Sequence, residues 1–210
     1  SAAKYIASTT MEIFLDVRAY DTQMVTILEI MGRNAGWLTA SAALASAKGY
    51  GPDLIYLPEL TFDIDRFLDE VISVYNKKKN IIVAVSEGVK DKDGRYIYEY
   101  GPALTKHKDS FGHVQLGGLA ATLAGIVKEK TGAKVRGIEF SLLQRCAAHL
   151  ASKTDVDEAY LAGQAAVQHA VQGITDKMVA FERAEGSEYK CNIKLVNLTD
   201  VANVEKKVPR

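Results

Sequence analysis

The chain has 210 residues, with 26 Lys and Arg against 26 Asp and Glu, so its formal net charge is zero. That balance argues against a nucleic-acid or acidic-membrane partner bound through overall charge, and leaves room for a local cationic pocket. Apolar residues make up 48%, enough for a core of one or two domains. No apolar run approaches the ~20 residues of a membrane span.

Ser1 to Val17 carries Tyr5, Ile6, Ile13, Phe14 and Val17 near helical spacing, which predicts a helix. The same stretch holds Lys4, Glu12, Asp16 and Arg18 and no apolar core of a secretory signal, so a cytoplasmic chain is expected. The start without Met, directly into a helical pattern, reads as a piece of a longer protein. Met24 to Ile30 is an apolar run of strand length. Leu38 to Ala47 is a helix stopped by Gly49, Leu54 to Leu57 a strand, Ile64 to Tyr75 an amphipathic helix, and Ile81 to Val85 a strand. Strands alternating with helices predict an α/β fold, a mostly parallel sheet with helices on both faces.

Lys90 to Tyr100 interrupts the rhythm, and Asp93-Gly94 predicts an exposed hairpin through a type I′ turn. A helix over Leu119 to Glu129 and a strand over Val135 to Leu143 follow. Asp155 to Val171 is a helix with Thr154 or Asp155 as N-cap and Gly173 as stop. Met178 to Phe181 and Cys191 to Val196 are strands. Cys146 and Cys191, with no CxxC between them, read as idle thiols of a reducing compartment.

Met31-Gly32-Arg33-Asn34-Ala35-Gly36 joins a strand to a helix. Ligands of open parallel sheets gather at such carboxyl ends. Gly lets backbone N–H groups approach an anion, the helix N-terminus adds partial positive charge, and Arg33 adds a planar donor fork. An ordinary turn with a surface Arg fits the same residues. Glu87 in Ser86-Glu87-Gly88, also at a strand end, fits either a polyol acceptor or a solvated turn carboxylate. Arg136 and Arg145 bracket the strand Val135 to Leu143. Nine residues of extended chain separate them by roughly 30 Å, so one subunit's site cannot easily use both, whereas a two-subunit site can. Two surface arginines are the other reading. Asp63 and Asp65 read as helix-capping residues rather than metal ligands.

Taken in order, these segments resemble the phosphofructokinase family. Leu28-Glu-Ile-Met-Gly-Arg-Asn-Ala-Gly-Trp37 is similar to its Met-Gly-Arg signature. Pro58-Glu59, Ile81 to Glu87, Val135-Arg136 and Gln144-Arg145 follow in the family's order over nearly the whole chain. The resemblance implies transfer of a phosphoryl group to the 1-hydroxyl of fructose 6-phosphate, a glycolytic step, in a dimer or tetramer. It places Met31, Gly32 and Arg33 in the sugar-phosphate site, with Arg33 also near the transferred group and so the catalytic candidate. It gives Glu87 to the sugar hydroxyls and Arg145 to the 6-phosphate, and sends Arg136 into a neighbouring subunit's site.

Leu142 stands where members often carry His or Tyr, which reduces that substrate contact to packing or backbone. Met24 stands where the short ATP-using enzymes carry an interface arginine. Gly112-His-Val-Gln-Leu-Gly-Gly118 resembles another family motif, but Leu116 replaces its arginine and it comes too early. The stretch from Lys90 to Gly118 therefore resembles an insertion of the longer, pyrophosphate-dependent enzymes, as do Gln144 to His149 and Ser152 to Asp155. ATP dependence is the alternative, and a non-catalytic regulatory subunit a second one.

The family's donor loop and the segment with its aspartate base belong upstream of Ser1. By resemblance, Mg2+ is held there too, so no metal site is expected in these residues, and the chain alone is expected to be inactive. Residues 1–144 are expected to form the sugar-phosphate domain. Residues 145–210 are expected to pack on the donor domain and then return.

Overall fold

The seven residues Met24–Ile30 form β1, and every one of them is buried. A strand covered on both faces has no polar side, so its run is continuous rather than alternating. β1 pairs in parallel with β3 (Asn80–Ser86) and with β4 (Lys134–Glu139), and β2 (Leu54–Tyr56) lies outside β3, giving the order β2-β3-β1-β4. This computed structural model describes residues 1–101 and 118–209.

Odd and even residues of β1 serve different layers. Val25 and Ile27 pack with Phe67, Leu68 and Val71 of α3 (Ile64–Tyr75) and with Leu123 and Val127 of α4 (Leu119–Thr131). Leu28 and Ile30 pack with Ile6 of α1 (Ala2–Arg18) and with Ala42. Ala42 lies in the 3-10 stretch Ser41–Lys48 that continues α2 (Trp37–Ala40). Each such Ile or Leu stabilises by ~1.5–3 kcal/mol. The predicted α/β architecture with helices on both faces is what the chain adopts. Asp63 caps α3 as expected, its carboxylate accepting the Arg66 N–H at 2.9 Å.

The chain divides into two compact units. Ala2–Ala148 with Lys207–Arg210 make the sheet unit, and Ser1 with His149–Lys206 make the other. The second holds α6 (Lys153–Val171), an antiparallel pair of β5 (Lys177–Arg183) and β6 (Cys191–Asn197), and α7 (Leu198–Val201). The N-cap of α6 is Ser152, whose hydroxyl accepts from the Asp155 N–H, rather than Thr154 or Asp155.

Two other expectations change. Lys90 to Tyr100 is not a hairpin. Only Lys90 and Tyr96 bridge, and Ile97–Tyr100 is a 3-10 helix that buries Ile97. The Asp91 carboxylate takes the Asp93 and Arg95 N–H groups at 2.8 and 2.9 Å, which supplies a side-chain turn in place of a type I′ turn. The strand expected to reach Leu143 stops at Glu139. Ser141 takes a φ of 47°, and Leu143–Cys146 form a helical turn, α5. The extended-chain estimate of ~30 Å between Arg136 and Arg145 therefore does not apply. Of the Asp109 to Gly118 stretch, all but Gly118 lie outside the described residues, His113 and Leu116 included.

Candidate functional site

The carboxyl ends of β1, β3 and β4 converge, and polar groups collect there. The turn after β1 begins at Met31. Gly32 has a φ of 154°, and a Cβ on it would lie 2.8 Å from both the Ala35 carbonyl oxygen and the Ser86 hydroxyl. Ser86 Oγ donates to the Gly32 carbonyl at 2.5 Å. A Cβ on Gly88 would come within 1.9 Å of the Arg33 carbonyl oxygen. Only glycine there lets the strand end of Glu87 lie directly against Arg33.

The backbone donors expected to cradle a phosphate are already in use. Met31 N–H donates to Gln144 Oε1 at 3.1 Å, Gly32 N–H to Glu87 Oε1 at 3.2 Å, and Gly36 N–H to Glu59 Oε1 at 2.9 Å. Gly36 is the N-cap of α2, so a protein carboxylate, not a ligand, faces that helix end. Glu59 Oε1 also accepts the Val208 N–H at 2.9 Å. Burial pushes the Glu59 carboxyl up, but backbone N–H groups, those of Gly36 and Val208 first, together with the Lys207 charge hold it below its ordinary value. These three N–H groups are therefore committed within the protein, and the full positive charge of the turn is the Arg33 guanidinium.

Glu87 is half-buried. Burial pushes its carboxyl up, the Gly32 N–H and Arg33 pull it down, Glu139 pushes it up, and Arg145 pulls it down; the net shift is upward. Arg33, on the turn after β1, and Arg145, on α5, are thus both near enough for their charges to act on one carboxylate. A ligand with hydroxyls and a phosphate meets an acceptor and two cations at this edge.

Met31, Gly32, Arg33, Glu87 and Arg145 are brought together. Leu142 is exposed at the start of α5, adjacent in sequence to this cluster. Arg136 is not at this edge. It pairs in register with Thr26, and its guanidinium binds Asp16 at 3.1 Å and lies 5.8 Å from the Tyr20 ring centroid.

Three groups at this edge were not read from the sequence as site residues. Gln144 is buried between two hydrogen bonds. Glu59 braces Gly36. Glu29, 2% exposed, accepts the Ala120 N–H of α4 at 2.8 Å, and its Oε1 has no hydrogen-bond partner among the described residues. Burial, opposed by the Ala120 N–H and reinforced by Glu139 and Glu87, pushes its carboxyl up to about 7. The available signal was a carboxylate inside an otherwise apolar strand run. Among the described residues no group of three or more His, Cys, Asp or Glu could hold a metal ion. No helix there is long and apolar enough to cross a membrane.

The phosphofructokinase family model matches residues 1–169. Two curated relatives named pyrophosphate–fructose 6-phosphate 1-phosphotransferase are similar over 100% of this chain and 50% of their own length. That of Halomonas elongata is 42% identical and that of Xanthomonas campestris pv. campestris 45% identical. The crystal structure of the pyrophosphate-dependent phosphofructokinase from Nitrosospira multiformis matches with a TM-score of 0.80 and 39% identity, over 100% of this chain and 48% of that one. The chain spans about half the length of the curated relatives it matches. With four-fifths of its residues under the family model and likeness to such relatives along all of its own residues, the chain belongs to the phosphofructokinase family.

Proposed function

We propose that these residues are the sugar-phosphate portion of a phosphofructokinase that moves a phosphoryl group from pyrophosphate to the 1-hydroxyl of fructose 6-phosphate. The observation that carries the reading is the convergence of Arg33 and Arg145 on Glu87 at the carboxyl edge of the sheet. The printed names of the relatives supply the donor and the sugar.

In this reading Arg145 binds the 6-phosphate, because a planar fork pairs with a dianion in two places. Glu87, fixed by the Gly32 N–H, accepts hydrogen bonds from sugar hydroxyls. Met31 and Gly32 shape the wall, and Leu142 packs beside it. Arg33 places positive charge where negative charge spreads over the transferred phosphoryl oxygens, the interaction that phosphoryl transfer depends on most. The new bond joins the 1-oxygen to phosphorus, the bridging bond of pyrophosphate breaks, and orthophosphate leaves. The base that takes the hydroxyl proton and the ligands of Mg2+ lie outside these 210 residues. Magnesium, when bound there, neutralises phosphate charge. Residues 1–144 act as the sugar-phosphate domain. Residues 145–210 meet the donor portion and return, consistent with the exposure of Tyr160, Val167 and Val171 on α6. Arg136 serves a neighbouring subunit in a cytoplasmic homodimer or homotetramer.

The test is turnover of the complete protein with Mg2+ and fructose 6-phosphate. Fructose 1,6-bisphosphate forms with pyrophosphate and not with ATP if the donor assignment holds. Turnover with ATP alone overturns the donor, and no turnover with either overturns the enzyme.

A further inference from the structure

We propose that Gln144 is a positioning residue that holds the Met31–Arg33 turn and the Arg145 helix in the spacing required for sugar-phosphate binding. The inference rests on the reading of this edge as the fructose 6-phosphate site.

In α5, Leu143, Arg145 and Cys146 are exposed, and Gln144 alone is buried, at 2% exposure. A buried carboxamide costs about 1–3 kcal/mol unless its polar ends are paired, so this position is tolerable only because both ends have partners. Oε1 accepts the Met31 N–H at 3.1 Å, and Nε2 donates to the Ser141 carbonyl at 2.9 Å. Ser141 is the residue whose left-handed φ of 47° turns the chain off β4. One side chain therefore ties the exit of β1 to the exit of β4, across 113 residues of sequence.

Each end of that tie adjoins a cation of the site. Arg33 is two residues beyond Met31, and Arg145 follows Gln144 directly. Their charges already act together on Glu87. A dianionic phosphate held by two guanidinium groups is sensitive to their separation, since bidentate geometry fails with small displacements. An apolar residue at 144 fills the space but leaves the Met31 N–H without its acceptor and the Ser141 carbonyl without its donor. Both strand exits are then free to settle independently. Gln144 has no charge to offer a substrate and makes its contribution through the two arginines.

The experiment compares the wild-type complete enzyme with Gln144→Met, Gln144→Glu and Arg145→Ala, measuring KM for each substrate, kcat and Tm. Gln144→Met is expected to raise KM for fructose 6-phosphate about 10-fold and to lower Tm by a few degrees, while leaving KM for pyrophosphate near wild type. Gln144→Glu, which keeps the acceptor for Met31 and loses the donor to Ser141, is expected to fall between the two. A fall in Tm accompanied by equal changes in both KM values means a merely structural glutamine and overturns the proposal. If Arg145→Ala raises KM for fructose 6-phosphate and neither Gln144 variant does, the proposal fails while the site assignment survives. If Arg145→Ala also leaves that KM unchanged, the site assignment itself fails. Should Gln144→Met not fold, hydrogen exchange on the wild type decides. The Met31 amide is expected to be protected before substrate is added, and rapid exchange there overturns the proposal.

Discussion

The two edges of the parallel sheet differ in a way that separates space from chemistry. The amino edge opens into a cavity of about 800 Å3, lined in part by Phe14, Arg18, Asp53 and Lys77 to Lys79. It is rich in cations, yet two of them are already committed: Lys78 pairs with Asp53, and Lys79 with Asp21. Lysines that remain exposed and solvated lose little on substitution. The carboxyl edge is built of committed polar groups. It holds Glu29, Glu59, Glu87 and Gln144 in buried or half-buried positions, each fixed by a backbone N–H, with two arginines acting on one carboxylate. Buried polar groups are costly to assemble, and perturbed carboxyls mark the edge where that cost has a use.

The sharpest way to break this comparison is to remove charge at the carboxyl edge. Arg33→Ala in the complete enzyme is expected to lower kcat about 10²- to 10³-fold, since the lost interaction develops in the transition state. A kcat within a few-fold of wild type moves the chemistry away from this edge. The next largest effect concerns stability. The Glu29 carboxyl rises from an ordinary 4.5 to about 7 on folding. The folded chain therefore keeps a proton that the unfolded chain releases between those values, so stability falls as pH rises from about 4.5 to 7 and then levels. The full shift corresponds to about 3 kcal/mol. Glu29→Gln removes the titration, so its Tm is expected to exceed wild type at pH 8 and to approach it at pH 4.5. Parallel curves at the two pH values contradict the burial argument. The smallest effect belongs to the amino edge. Lys77→Ala, despite lining the amino-edge cavity, is expected to leave kcat and both KM values within about twofold of wild type.

Where local chemistry decides the structure, the sequence was readable. Met24 to Ile30 is apolar apart from Thr26 and Glu29 because both faces are covered, and Ile64 to Tyr75 has a strong amphipathic period and an Asp cap. Both elements have the expected bounds. Legibility fails where a single side chain overrides the pattern. Asp91 captures two N–H groups and converts an apparent hairpin into a turn and a 3-10 helix. Ser141 ends β4 early, and the left-handed conformation that does so is uncommon for a residue with a Cβ. The site shows the same division. Arg33, Glu87 and Arg145 were visible as charged residues at element ends. Three N–H groups of the expected backbone cradle have protein acceptors, because Gln144, Glu87 and Glu59 reach them from segments distant in sequence. Contacts spanning 113, 55 and 23 residues leave no local pattern to read.

We propose that fructose 6-phosphate binds the carboxyl edge of this sheet and not the cavity at the amino edge. Amide hydrogen exchange of the complete enzyme, with and without fructose 6-phosphate, tests it most directly. Slowed exchange is expected in residues 31–36, 86–88 and 142–146, with 74–80 unchanged. Protection confined to 74–80, at the amino edge, contradicts the account.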